Sequence, residues 1–519
     1  MILRSLLAVA AGFAAFVFAG GAQAQTWHRA DTHHFVVYSN GGEKNLEDFA
    51  HKVEKFDALM RLAFNRQPEE HPNRLTIYLL NSAASVDDLT GPKRQNIAGF
   101  YRADPEGSFA VANREKPANV WDLDGQTVLF HEYAHHFMYR NFPVPVPAWY
   151  SEGFAEYAGT ADFRRDGTWE WGKFAEHRLY SLGLGPKIPI RSLLTEQPSG
   201  TPERVSAFYG WAWALTHMLY RSEDNGEQIT RYVARLAEGV DPLVAAEAEF
   251  GDLDALEKRL DKYVRGKTTF FRSAEPINYL SDVKVTRLSE YDSALVELGL
   301  QRRTFYKPER TREELTALTR RPDATAEAFY QLAALEFTAA HSEEAKPQYD
   351  FTAAESAVDQ ALKLQPDHVL ANVLKGNILL EPFDHADDPD DALWARSRKF
   401  YAAANRADPL HPLPLYKFAN SFIREGKQNA QVGSAMQEAF LGAPEANELR
   451  YGLANFYASE GEFDRAIELL KVIAGNPHYG SGAREYIAEL EKRRDGRGGN
   501  EAEGETELTV VRVDPDDDE

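Results

Sequence analysis

The 519-residue chain contains no cysteine. That excludes disulfides, thiol nucleophiles, cysteine-linked lipid anchors and every cysteine-ligated metal site. Positive charge is in deficit too: 58 Lys and Arg stand against 80 Asp and Glu, for a net charge of −22, and no basic stripe interrupts the surplus. A nucleic-acid duplex or an anionic membrane would repel such a chain, so no nucleic-acid partner is expected. Long apolar runs are missing beyond the first residues, so no stable membrane anchor is expected in the mature protein.

The one apolar run spans Leu6 to Ala19. Arg4 precedes it, and Ala22-Gln23-Ala24 follows as a small–x–small cleavage pattern. Residues 1–24 are therefore expected to be a cleavable signal peptide, and the protein to be exported to a periplasm or secreted. A cysteine-free chain suits an oxidising compartment.

The composition, 43% hydrophobic and 12% aromatic, is that of a globular protein, and the length calls for two or three domains. Strand patterns come first, at 34–40 and 74–80 and as a hairpin over 97–113 about Asp104-Pro105-Glu106-Gly107. A helical pattern at 46–64 and mostly helical spacing from 124 to 265 accompany them. This predicts an α+β domain over 25–265, a small mixed sheet plus helices. Residues 266–325 are expected to be a connector.

From about 326 alanine rises and a period appears. Ala419, Phe422 and Gly426 recur 35 residues later as Ala454, Tyr457 and Gly461. Small residues let paired helices approach, and a proline ends the second helix of each unit. The segment 449–477 resembles a tetratricopeptide repeat, with Ala454, Tyr457, Gly461, Ala466 and Pro477 near the expected positions. About four units are expected over 326–494, an all-α solenoid capped by 482–494 that binds a protein partner or substrate. The glycine-rich, acidic tail 495–519 is expected to be disordered.

The chemistry concentrates in "HEYAHH", His131 to His136. On a helix, His131 and His135 share one face, a turn apart, and can share one ion. Zinc takes imidazole nitrogen readily, and two such ligands leave room for a third ligand and a water. Glu132 flanks the site, where a general base stands. The surrounding residues are apolar nearly all round the helix, so this polar group is buried and needs a partner. Glu152, in a helix that follows the stiff Pro143-Val-Pro-Val-Pro147 linker, is available as third ligand. His136 lies about 100° from His135 and belongs to packing. His33 and His34 show no partner spacing.

The motif H-E-x-x-H and the wording "WYSEGFAEY" (149–157) resemble the gluzincin zinc metallopeptidases, and locally the aminopeptidase-N and thermolysin-like types. The resemblance implies a zincin-like fold, one Zn2+ ion held by His131, His135 and Glu152, and Glu132 as general base. It implies Glu156 as the carboxylate behind a ligand histidine. Over 208–219 it implies Tyr209 as the oxyanion donor, with His217 as the alternative. The spacing from His135 to Glu152 is shorter than in the aminopeptidase-N type, and the amine-gripping Gly-x-Met-Glu-Asn motif is missing, which points to an endopeptidase rather than an aminopeptidase. The strand at 107–113 is expected to be the edge that pairs with substrate. A catalytically inactive repeat scaffold and a zinc hydrolase of a non-protein amide are the alternative functions.

Overall fold

The computed structural model describes residues 26–496, apart from 71–72, 91–98, 116–123, 225, 306, 343–348, 386–389 and 477–479. The expected signal peptide and nearly all of the expected disordered tail lie outside the described residues, as does Pro477 of the best repeat.

The amino-terminal part builds a mixed sheet. Its elements are β1 (His28–Asp31), β2 (Phe35–Ser39), α1 (Glu43–Ala63), β3 (Leu75–Leu80), α2 (Ala83–Thr90), β4 (Gly99–Arg102) and β5 (Phe109–Asn113). Strand β9 (Lys284–Arg287) arrives from far downstream, and the order across the sheet is β4-β5-β3-β2-β1-β9. Strand β3 runs parallel to β2 and β5, with Ile77 opposite Val37 and Ala110; the remaining pairs are antiparallel. The two-residue alternation decides the faces. Val37, Ile77, Leu79 and Ala110 join the main core with Phe56 of α1 and Phe130 of the next helix, α3 (Gly125–Asn141). Tyr78, Leu80, Phe109 and Val111 face Val86 and Leu89 of α2 on the other side. The strand expected to be an edge, β5, lies inside the sheet between β3 and β4; the edge on that side is β4. Hydrophobicity could not reveal this, because β5 is buried on both faces and β4 only in part.

After α3 come α4 (Ala148–Gly159), β6 (Asp162–Phe163), β7 (Trp169–Trp171), a 3-10 turn (Glu176–Arg178), α5 (Leu179–Gly183), α6 (Ile190–Thr195) and α7 (Pro202–Tyr220). Helices α8 (Glu227–Ala237), α9 (Pro242–Phe250) and α10 (Leu253–Val264) complete this core. Strand β8 (Phe271–Arg272) pairs with β7 in a small second sheet.

The stretch expected to be a connector is thus partly sheet, in β8 and β9, and continues as α11 (Glu290–Thr304) and α12 (Pro308–Thr319). Leu295, Leu298, Leu315 and Leu318 pack these two against α13 (Ala326–Ala340). The helical repeats follow as consecutive pairs: α13 with α14 (Thr352–Leu364), α15 (Val369–His385) with α16 (Ala392–Ala407), α17 (Pro412–Arg424) with α18 (Ala430–Gly442), and α19 (Asn447–Ser459) with α20 (Phe463–Ala474). Ala333, Ala354, Ala404, Ala419, Ala454 and Ala466 are fully buried, which is what lets the helices of a pair close up. Helix α21 (Gly480–Arg494) packs on α20 and ends the stack. Among the described residues no helix is long and apolar enough to cross a membrane.

Candidate metal centre

The first turn of α3 packs against the end of β5. Asp124 caps it, its carboxylate accepting from the amides of Gln126 and Thr127 at 2.9 Å. A side chain at Gly125 would fall 1.7 Å from the Asn113 carbonyl oxygen, so only glycine permits this junction. Phe130 stacks on Phe56 at 3.9 Å, which fixes the rotation of α3. The face carrying His131 and His135 is thereby turned to α4, all twelve of whose residues are buried.

Three donor atoms converge between these helices. His131 Nε2 lies 3.2 Å from His135 Nε2, and Glu152 Oε2 lies 3.4 Å from each. Donors about 2.0–2.1 Å from a tetrahedral zinc ion stand about 3.3–3.4 Å from one another, so this triangle has the size such an ion requires. The donor set, two imidazoles and a carboxylate, also suits zinc.

The far side of each ring is held by α4. Ser151 Oγ lies 3.3 Å from His135 Nδ1, and Glu156 Oε1 lies 3.4 Å from His131 Nδ1. Glu156 is itself clamped: Arg178 donates to both its oxygens at 2.6 and 3.0 Å, and His177 Nε2 lies at 2.7 Å. Burial alone would raise the Glu156 pKa, but Arg178, His177 and His131 hold it well below the carboxylate range. Burial would likewise lower the His131 pKa, yet Glu152 and Glu156 outweigh it and lift it to about 10.

Tyr209, on α7, places its ring 6.3 Å from that of His131, and the Arg178 guanidinium lies 5.1 Å over the Tyr209 ring. Burial, followed by the charge of Glu152, pushes the phenol well above its usual range, with Glu156 and Glu132 adding to this; it stays protonated and able to donate. Glu132 is half-buried, next to His131 on α3.

The alternative donor, His217, is engaged elsewhere. Its Nε2 donates to the Gly172 carbonyl at 2.8 Å, and its Nδ1 lies 2.6 Å from the Tyr263 hydroxyl. His136 pairs with the Tyr101 hydroxyl at 2.9 Å, and burial pulls it down to about 4, so it packs as a neutral ring. His34 has buried partners, Glu54 at 2.8 Å and Asp57 at 3.3 Å. Asp57 also pairs with Arg61 at 2.7 Å, so a guanidinium already balances one of the two carboxylates.

His177, Arg178 and Ser151 escaped the sequence reasoning. The first two lie in a 3-10 turn with no periodicity, and the only clue was that a carboxylate at 156 in an apolar helix must find a cation.

The repeats reach this centre. Asn476, just after α20, donates to the Tyr139 hydroxyl at 2.7 Å, and the Tyr139 ring lies parallel to His135, 6.2 Å away. Gly475 sits against Val146 of the proline linker.

No family model and no curated protein matches the chain. Among solved structures it is similar to TTC0263, a thermophilic TPR protein of Thermus thermophilus, at 15% identity and a TM-score of 0.32, over 39% of this chain and 98% of that one. It is also similar to MamA 41-end of Desulfovibrio magneticus RS-1, at 17% identity and a TM-score of 0.26, over 40% and 98%.

Proposed function

We propose that the chain is an exported zinc-dependent peptidase of the gluzincin type, an endopeptidase whose helical repeats hold a protein substrate or partner. The observation that carries this reading is the triangle of His131, His135 and Glu152 donor atoms, 3.2–3.4 Å on each edge.

His131, His135 and Glu152 would hold the ion, with Ser151 and Glu156 fixing the two rings. A zinc ion bound there supplies Lewis acidity, stabilising charge on a carbonyl oxygen and acidifying a water molecule. Glu132 takes the proton from the attacking water at its carboxylate and returns it to the leaving amine nitrogen. Tyr209 donates its phenol proton in a hydrogen bond to the oxygen that becomes negative. Arg178 serves two groups at once, neutralising Glu156 and standing over the Tyr209 ring.

Glu132→Gln tests the assignment. The variant should bind zinc with the wild-type stoichiometry and cleave no protein or peptide that the wild type cleaves. A zinc-loaded wild type that leaves a broad peptide library intact would refute the peptidase reading. Cleavage of cell-wall fragments instead would favour a hydrolase of non-protein amides.

A further inference from the structure

The first two repeats together carry a second cluster of candidate metal-binding side chains, remote in sequence from the first. His341 follows α13 directly, and α15 carries Glu381 and His385 one turn apart near its end. Glu381 Oε2 lies 2.9 Å from His341 Nε2 and 3.4 Å from His385 Nε2, and the three donor atoms all lie within 4.8 Å of one another.

Four further observations bear on what this group does. His341 Nδ1 donates to the Phe337 carbonyl oxygen at 2.9 Å, so that nitrogen keeps its proton, and in a neutral ring the lone pair is on Nε2, facing Glu381. A backbone carbonyl behind the far nitrogen is the usual support of a metal-binding histidine. Aromatic rings fix both imidazoles: Tyr349 stacks on His385 at 3.8 Å, and Phe337 and Phe351 lie 4.6 and 4.9 Å from His341. Tyr349 adopts φ of 39°, a left-handed conformation that is costly for an aromatic residue. Among the described residues, Glu381 forms ion pairs with these two rings and with no Lys or Arg.

We infer that His341, Glu381 and His385 form a second site for a divalent transition-metal ion, with zinc the best match to two imidazoles and one carboxylate. The ion ties α15 to the end of α13 and braces the first repeat against the second. Calcium and magnesium are excluded as its natural ligands, because hard cations take oxygen donors.

The full chain, stripped with a chelator, is titrated with Zn2+ alone by calorimetry, and bound metal is counted by mass spectrometry. Wild type should bind two ions, His131→Ala one, His385→Gln one, and the double variant none. In the His131→Ala background, Zn2+ should raise Tm, and Glu381→Gln should weaken the remaining site by more than ~100-fold, beyond what loss of a supporting contact costs. If His385→Gln does not fold, the isosteric Glu381→Gln carries the test. Loss of one ion in His131→Ala with no change in His385→Gln or Glu381→Gln overturns this site alone. The reverse pattern supports it and overturns the α3–α4 site instead.

Discussion

Arg140, in the last turn of α3, pairs with Glu445, just before α19, at 2.9 Å, and Glu445 is buried and Arg140 largely so. The helix that carries the paired histidines is therefore bolted to the third and fourth helical repeats through its own end. Arg140 also grips both oxygens of Glu69, at 3.0 and 2.6 Å, and Ser108 donates to the other oxygen of Glu445 at 3.3 Å.

Glu445→Gln should loosen this junction. The guanidinium keeps Glu69, so the cost falls short of stranding a buried charge; we expect about 1–3 kcal/mol, the range for an impaired buried polar contact. Calorimetry should show a lower Tm, and hydrogen exchange should rise at the α3–α19 contact. Wild-type Tm and protection in this variant would mean that the repeats do not brace α3.

Gly153 marks a second close approach. A Cβ there would lie 2.3 Å from the Ala212 carbonyl oxygen and 2.4 Å from Thr216 Oγ1, both on α7. Backbone cannot yield as a flexible side chain can, so Gly153→Ala must push α4 from α7. Glu152 moves with it. Zinc affinity and Tm should both fall, measured by chelator competition and calorimetry; unchanged values for both would show that the two helices can separate freely.

The candidate ligands were legible because a helix fixes their spacing: His131 and His135 had to share a face, and the prolines from 143 to 147 had to start a new helix near them. The helical pairs were legible through alanine and proline. What escaped depends on tertiary placement. Strand β9 joins a sheet begun some 250 residues earlier, and no local pattern records such a partner. Arg178 and His177 find Glu156 through a turn whose position only the packed core sets. The edge strand was misjudged because hydrophobicity reports burial, whereas an edge is defined by missing hydrogen-bond partners.

Tyr209→Phe separates oxyanion stabilisation from core packing. The ring, its contact with His131 and the Arg178 contact survive, and only the hydroxyl is lost. A donor that acts in the transition state costs ~100–1,000-fold in kcat when removed. KM, zinc content and Tm should hold. A variant with full kcat would assign Tyr209 to packing and leave the oxyanion without this donor.

The hairpin tip between β4 and β5 offers a test by pH. Glu106 meets Arg302 of α11 at 2.5 Å, and Arg303 pairs with Asp104 at 3.2 Å, so the sheet is held to the helices that lead into the repeats. Burial alone would raise the Glu106 pKa, but Arg302 and then Arg303 lower it, to about 2. The folded value is below the unfolded one, so the unfolded chain binds this proton more readily. The stability Glu106 contributes is thus complete above its ordinary pKa of 4.5 and fades as pH falls from there towards about 2. Glu106→Gln should therefore be less stable than wild type at pH 7, and the gap should narrow steadily below pH 4.5. Denaturant melts of both proteins across this interval measure it, and a gap that stays constant down to pH 2 would show that the Glu106 carboxylate does not help to hold α11.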